Sequence, residues 1–369
     1  MNTLKWIKIW FALICIIPLS GIFNYVIDPY GFNKKILIKN INTVKEDNTP
    51  FTIKYKMPKV RENAWDNLML GTSRIGLMDT NIVDNYLGGK TFTISQPGSA
   101  MAIQFDAFWY ALKFNQIKNL VYSIDFMSFN KNLKFNNDYV QYQDELQSFG
   151  HFYTHDIYIN FNTLKKSLNT IQNNLSEQPK LNPFYSENGM RNFLNYKQQL
   201  ANGHLEINVN INKHLQKYFK KDGIYANYKY SPEYMAMFKK IVNYCHKNAI
   251  KLYVYISPVY YQHFDAIKAA GLKTEFEKFK KELVKVTDFI DFTGVNSITS
   301  SKDNFWDSSH LRKEHTDLIM TKLFPNGNTA HPDFGVMVTK ENIAKHLQRQ
   351  DSQYQQINLK EILAINYRR

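Results

Sequence analysis

Two short stretches carry residue types that can move protons and form covalent bonds. The first is Gly71-Thr72-Ser73-Arg74. A serine hydroxyl is a weak nucleophile until a base takes its proton. In a turn beside a glycine, Ser73 can offer its Oγ to an ester; the same position also suits the N-cap of a following helix. The second stretch is Asp307-Ser308-Ser309-His310, at the start of a helix or on the turn before it. A separation of three lets the carboxylate reach one imidazole nitrogen while the other faces outward as a base. A helix-capping Asp with a surface His has the same spacing. Other polar groupings carry less. His315 does not share a helix face with His310, and His151 and His155 fall in a segment that reads as a loop. There is no P-loop and no G-x-G-x-x-G after a strand. The chain has 2 Cys, which excludes a four-thiolate zinc site and a disulfide scaffold. No cofactor and no metal are expected.

The elements that would hold these residues alternate between strand and helix. Short apolar strands are predicted at 67–70, 90–94, 120–124, 251–256 and 289–292, and helices at 100–115, 232–248, 272–287, 311–324 and 340–349. Such alternation implies an α/β fold, a parallel sheet with helices on both faces. Functional residues in such folds sit at the carboxyl ends of the strands. Ser73, Gly98 (in Gln96-Pro97-Gly98-Ser99) and Asp125 all follow predicted strand ends. Arg74 can bind an anionic group or pair with a nearby carboxylate. Asp125 can line a pocket or tie the fold internally.

The 369 residues divide into five parts. Residues 1–27 contain an apolar run from Ile9 to Ile27 that is free of charge and preceded by Lys5 and Lys8. Its length is close to that of a bilayer-crossing helix, so a signal anchor is expected, with a cleaved signal peptide as the alternative. Lys34, Lys35 and Lys39 follow it, so charge gives no clean orientation. Cys15 lies in the run and Cys245 in a predicted helix, so the two are not expected to pair. Residues 28–60 read as a stalk, and residues 61–130 and 231–330 as the α/β domain. Residues 131–230 are rich in Asn, Tyr, Phe and Gln without a clear period and are too long for a simple loop; an inserted subdomain or lid is expected. Its aromatics can serve as core or as a ligand platform. Residues 331–369 read as a polar tail. The net charge of +14 comes from Lys scattered along the chain. It fits a solvated surface or one attracted to anionic lipid or polymer; no nucleic-acid recognition motif accompanies it.

The order of these blocks resembles that of the SGNH (GDSL-like) hydrolases over residues 62–125 and 232–325. Gly71-Thr72-Ser73-Arg74 stands where G-D-S is common, and Gln96-Pro97-Gly98-Ser99 stands at the second block. Ile124-Asp125-Phe126 stands at the third block, without the Asn of G-x-N-D, and Asp307-Ser308-Ser309-His310 at the last. With the apolar run and Asn24-Tyr25-Val26-Ile27-Asp28-Pro29-Tyr30-Gly31, the chain is similar to membrane-anchored SGNH proteins of bacterial envelopes, of the alginate-acetylation and teichoic-acid D-alanylation types. The resemblance implies Ser73, Asp307 and His310 as catalytic residues, with an oxyanion held by the Ser73 and Gly98 N–H groups and Arg74 and Asp125 as candidate substrate contacts. It implies a membrane-anchored, extracytoplasmic serine O-acyltransferase or esterase acting on an envelope or exported polysaccharide or a teichoic-acid-like polymer, beside a membrane-bound O-acyltransferase partner. A non-catalytic SGNH-like module that binds polysaccharide or scaffolds an acylation complex is the second reading.

Overall fold

Along the strand segments, consecutive side chains divide between two apolar clusters. Leu68, Leu70, Leu120, Tyr122, Val254 and Ile256 enter one, while Met69, Val121 and Tyr255 enter the other. Strand side chains alternate between faces, so this sheet is apolar on both and must be covered on both. A computed structural model describes residues 3–33, 35–324 and 330–366, without the side chains of 3–5, 8, 9 and 11–15. Lys34, the side chains of Lys5, Lys8 and Cys15, and the last three residues of the expected tail lie outside the described residues.

The strands are β1 (Asn67–Gly71), β2 (Thr91–Ser95), β3 (Asn119–Ile124), β4 (Lys251–Ile256), β5 (Phe289–Asp291) and β6 (Val336–Val338). They form one sheet in the order β2-β1-β3-β4-β5-β6. All neighbouring pairs are parallel except β5 and β6. The chain runs from β1 out to β2 and then returns to β3 on the other side of β1. The order therefore reverses between β1 and β3, where α/β sheets open a crevice at their carboxyl ends.

The helices, in chain order, are α1 (Thr3–Ile27), α2 (Thr52–Glu62), α3 (Thr80–Leu87), α4 (Met101–Phe114), α5 (Asn137–Gln147), α6 (His155–Tyr158), α7 (Phe161–Asn174), α8 (Leu194–Ala201), α9 (Ile207–Phe219), α10 (Pro232–Lys247), α11 (Tyr261–Ala269), α12 (Lys273–Val286), α13 (Lys313–Leu323), α14 (Ile343–Gln353) and α15 (Leu359–Ala364). α2, α4, α10 and α12 bury Met57, Ala107, Phe238 and Phe279 in the first cluster. α3, α9 and α13 bury Val83, Leu215 and Ile319 in the second.

The five expected strands form within one residue of their predicted ends. Two segments contribute more to the domain than their composition suggests. Residues 28–60, expected as a stalk, run into α2, whose Ile53, Met57 and Val60 are core. Its lysines disguise this face. Lys54 pairs with Asp156. The fully buried Lys56 reaches Ser95 O at 3.0 Å and Ser95 Oγ at 2.6 Å and lies 4.1 Å from the Tyr185 ring centroid. The expected polar tail supplies β6, the antiparallel edge of the sheet.

The 131–230 segment leaves and re-enters the domain at adjacent points. Lys131 N donates to Lys229 O at 2.7 Å and Ser231 N to Phe129 O at 2.9 Å. Between them lie α5 to α9. Most of its tyrosines that contact the domain are buried, including Tyr139, Tyr185, Tyr218, Tyr225 and Tyr230, so these serve as core. Asn188 O accepts from Thr93 N at 2.9 Å, covering the open side of the edge strand β2.

α1 docks by its end. Asn24 Nδ2 donates to Tyr158 O at 2.7 Å and Ser167 Oγ to Asn24 Oδ1 at 2.8 Å. Earlier in the helix, Trp10, Ile16, Ile17, Leu19 and Ile22 are exposed. Among the described residues, no helix is long and apolar enough to cross a membrane.

One glycine sets the turn out of β1. Gly71 has φ +154°, and a Cβ there would stand 2.7 Å from Ser123 O on β3. Gly71→Ala is expected to lower stability by about 1–3 kcal/mol, measured by urea unfolding.

Candidate active site

The turn after β1 presents Ser73, and the loop after β5 brings His310 to meet it. Ser73 Oγ lies 2.8 Å from His310 Nε2, and His310 Nδ1 lies 2.7 Å from Asp307 Oδ2. Asp307 Oδ1 accepts from the backbone N–H groups of Ser309 at 2.9 Å and His310 at 3.0 Å. A carboxylate only accepts, so His310 Nδ1 carries its hydrogen. Nε2 then presents its lone pair to the serine. The loop is closed at its base by Trp306 N donating to His310 O at 2.9 Å and a bridge between Phe305 and Leu311. The D-x-x-H segment thus lies on the turn before α13.

Electrostatics favour this charge pattern. Burial works against the charged form of Asp307, but the imidazoles of His214 and His310 and the Ser309 N–H outweigh it. They hold the carboxyl well below its ordinary range. Behind Ser73, Arg74 Nη1 donates to Asp125 Oδ1 at 2.8 Å and Thr72 Oγ1 donates to Asp125 Oδ2. Burial disfavours the Arg74 cation, yet Asp125 more than compensates, so Arg74 stays charged. Both residues are buried, and neither lines the cleft that Ser73 faces. Of the two alternatives open for each, the structure forms the ion pair and the internal tie. The pair fixes the turn that carries Ser73.

The cleft has a volume of about 850 Å³. From the α/β domain, Ser73, Pro97, Gly98 and His310 line it; the rest of the lining belongs to the 131–230 segment. Gly98 has φ +63°, and a Cβ built there meets nothing within 4 Å, so it faces open space at the mouth. Four cations, Lys134, Arg191, Lys217 and Lys221, line the cleft against one acid, Asp222. The Arg191 guanidinium lies 4.8 Å from the Phe193 ring, which in turn lies 5.7 Å from the His310 ring.

Sequence reasoning did not single out His214, Ser308 or His263. His214 Nδ1 lies 2.8 Å from Ser308 Oγ and 3.2 Å from Asp307 Oδ1. His263 Nδ1 lies 2.9 Å from the same Ser308 Oγ. The available signal was the amphipathic pattern of 207–219, which puts His214 on the face shared with Asn210 and Tyr218. His214, Asp307 and His310 each offer one ligand atom within 4.8 Å of the others, the spacing of a three-ligand cation site. Both nitrogens of His310 and both oxygens of Asp307 already have protein partners, which suits a proton relay.

Burial holds the His214 imidazolium form down, to a pKa of about 3, against the pull of Asp307. Between its ordinary value near 6.5 and about 3, the unfolded chain binds a proton that the folded chain refuses. Stability therefore falls as pH drops through that window. His214→Asn is expected to lose less stability than the wild type between pH 6.5 and 4, read by urea unfolding at each pH.

Compared with known proteins, the chain matches no family model, and no curated protein matches it significantly.

Proposed function

We propose that this chain is an SGNH-like serine acyltransferase or esterase that acts outside the cytoplasm on an envelope or exported polysaccharide, or on a teichoic-acid-like polymer. The observation that carries the reading is the relay Ser73–His310–Asp307, with contacts of 2.8 and 2.7 Å, opening into a cleft at the strand-order reversal.

The chemistry runs as two acyl transfers. His310 Nε2 takes the Ser73 proton as Oγ bonds to the carbonyl carbon of an acyl ester. The carbonyl electron pair moves onto oxygen, which the Ser73 and Gly98 N–H groups hold. Collapse of this intermediate expels the alcohol oxygen, and His310 returns the proton to it. A sugar hydroxyl or water then gives its proton to His310 and attacks the acyl-serine; the acyl–Oγ bond breaks, and His310 returns that proton to Ser73 Oγ. Asp307 holds the imidazole in the required tautomer and balances its positive charge. Each oxyanion donor is worth about 3 kcal/mol.

The cationic lining of the cleft supports a polymer that bears anionic groups. The exposed Trp10, Ile16, Ile17, Leu19 and Ile22 of α1 support a membrane anchor. A membrane-bound O-acyltransferase would be the donor partner of an anchored enzyme of this kind.

The test uses a fluorophosphonate probe, which reacts with activated serines. The wild type is expected to be labelled at Ser73. Ser73→Ala should lose labelling, and with a 4-nitrophenyl ester kcat/KM should fall by about 10³-fold or more. Labelling of Ser73→Ala at the wild-type rate would overturn the reading.

A further inference from the structure

One helix of the 131–230 segment grips the loop that carries the base. On α9, Asn210, His214 and Tyr218 stand at i, i+4 and i+8 and so share a face. Each reaches a different part of the site. Asn210 Nδ2 donates to Trp306 O at 2.5 Å, at the foot of the D-x-x-H loop. His214 Nδ1 sits between Ser308 Oγ at 2.8 Å and Asp307 Oδ1 at 3.2 Å. Arg74 Nη2 reaches the Tyr218 hydroxyl at 3.5 Å, behind the serine turn. Ile211 and Leu215, elsewhere on the helix, are buried in the second apolar cluster and fix its rotation.

The neighbours of His214 dictate where its proton sits. A lone pair on Nδ1 would face the Asp307 carboxylate at 3.2 Å with nothing between them. The hydrogen is therefore on Nδ1. Ser308 Oγ accepts from it and can give its own proton to His263 Nδ1. The Asp307 carboxylate accepts from His310 Nδ1–H on Oδ2 and from two backbone N–H groups on Oδ1, and His214 Nδ1 stands 3.2 Å from Oδ1 while donating to Ser308. The His214 and His310 rings stand 5.3 Å apart, centroid to centroid.

We propose that His214 is a positioning residue for the Ser73–His310 pair: its Nδ1–H, donated to Ser308 Oγ, ties the Asp307-Ser308-Ser309-His310 loop to α9 so that Asp307 Oδ2 stays aligned on His310 Nδ1. The inference rests on the acyl-transfer reading above. It makes the 131–230 segment part of the machinery as well as the wall of the cleft. Without the His214 donor, Ser308 loses its tie to α9, and the loop that aligns Asp307 on His310 is freed. The charged and titratable groups around His214 are Asp307, His310, His263, Tyr218, Lys217 and Arg74.

The experiment measures the rate of fluorophosphonate labelling of the full chain. Asn places an amide donor where Nδ1 stands, whereas the Gln amide reaches past it. His214→Phe and His214→Gln are expected to label about 10- to 100-fold more slowly. His214→Asn should keep most of the rate. If His214→Phe loses its cooperative unfolding transition, the comparison of Asn with Gln decides. Equal rates for Asn and Gln would overturn the role of His214. Absence of wild-type labelling, or labelling that survives Ser73→Ala, would instead overturn the acyl-transfer reading beneath it.

Discussion

The site depends on one buried carboxylate. Taking a charged aspartate out of water costs several kcal/mol unless hydrogen-bond donors replace the lost solvent. Asp307 has them on both oxygens: two backbone N–H groups of its own loop and the His310 imidazole, with His214 of α9 standing 3.2 Å away. These donors satisfy the charge and, in doing so, fix the loop. Because His310 is one of them, its ring cannot turn without exposing the carboxylate. Its second nitrogen is therefore held toward Ser73. The tight loop between Phe305 and Leu311 and the glycine turn at Gly71 are the two ends of this constraint, one after β5 and one after β1.

A second charge balance lies beneath it. Arg74 follows the serine and would compete for anions in the cleft if it were free. Asp125 and Tyr218 hold it behind the turn. The open cations at the mouth are instead Lys134, Arg191, Lys217 and Lys221, all from the 131–230 segment. The α/β domain thus carries Ser73 and His310, and the insertion supplies both the cationic wall of the cleft and the helix packed against the Asp307–His310 loop.

Much of this was legible in the residues. The strands were visible because short, fully buried runs such as Leu68–Leu70 and Val121–Ile124 stand between turn residues. The relay was visible because Ser73 follows a strand and Asp307 and His310 keep a spacing that permits their contact. What escaped was whatever depends on partners distant in sequence. α2 carries lysines whose burial is made possible by Asp156, Ser95 and Tyr185, none of them near it in the chain. β6 is three residues long with Met337 exposed, too little for an alternation to show. Arg74 and Asp125 were identifiable as candidates, but their mutual neutralisation is a property of the packed turn. His214 lies in a segment without a motif, and only the placement of α9 against the D-x-x-H loop gives it a role.

The central claim is that this relay makes Ser73 a nucleophile that carries an acyl group. Acid-quenching the protein during turnover of a 4-nitrophenyl ester and measuring the mass of its peptides tests that claim directly. The expected result is one added acyl group on the peptide containing Ser73, absent when His310 is replaced by Ala. Ester turnover with no acylated Ser73 peptide, or with the acyl group on another residue, would contradict it.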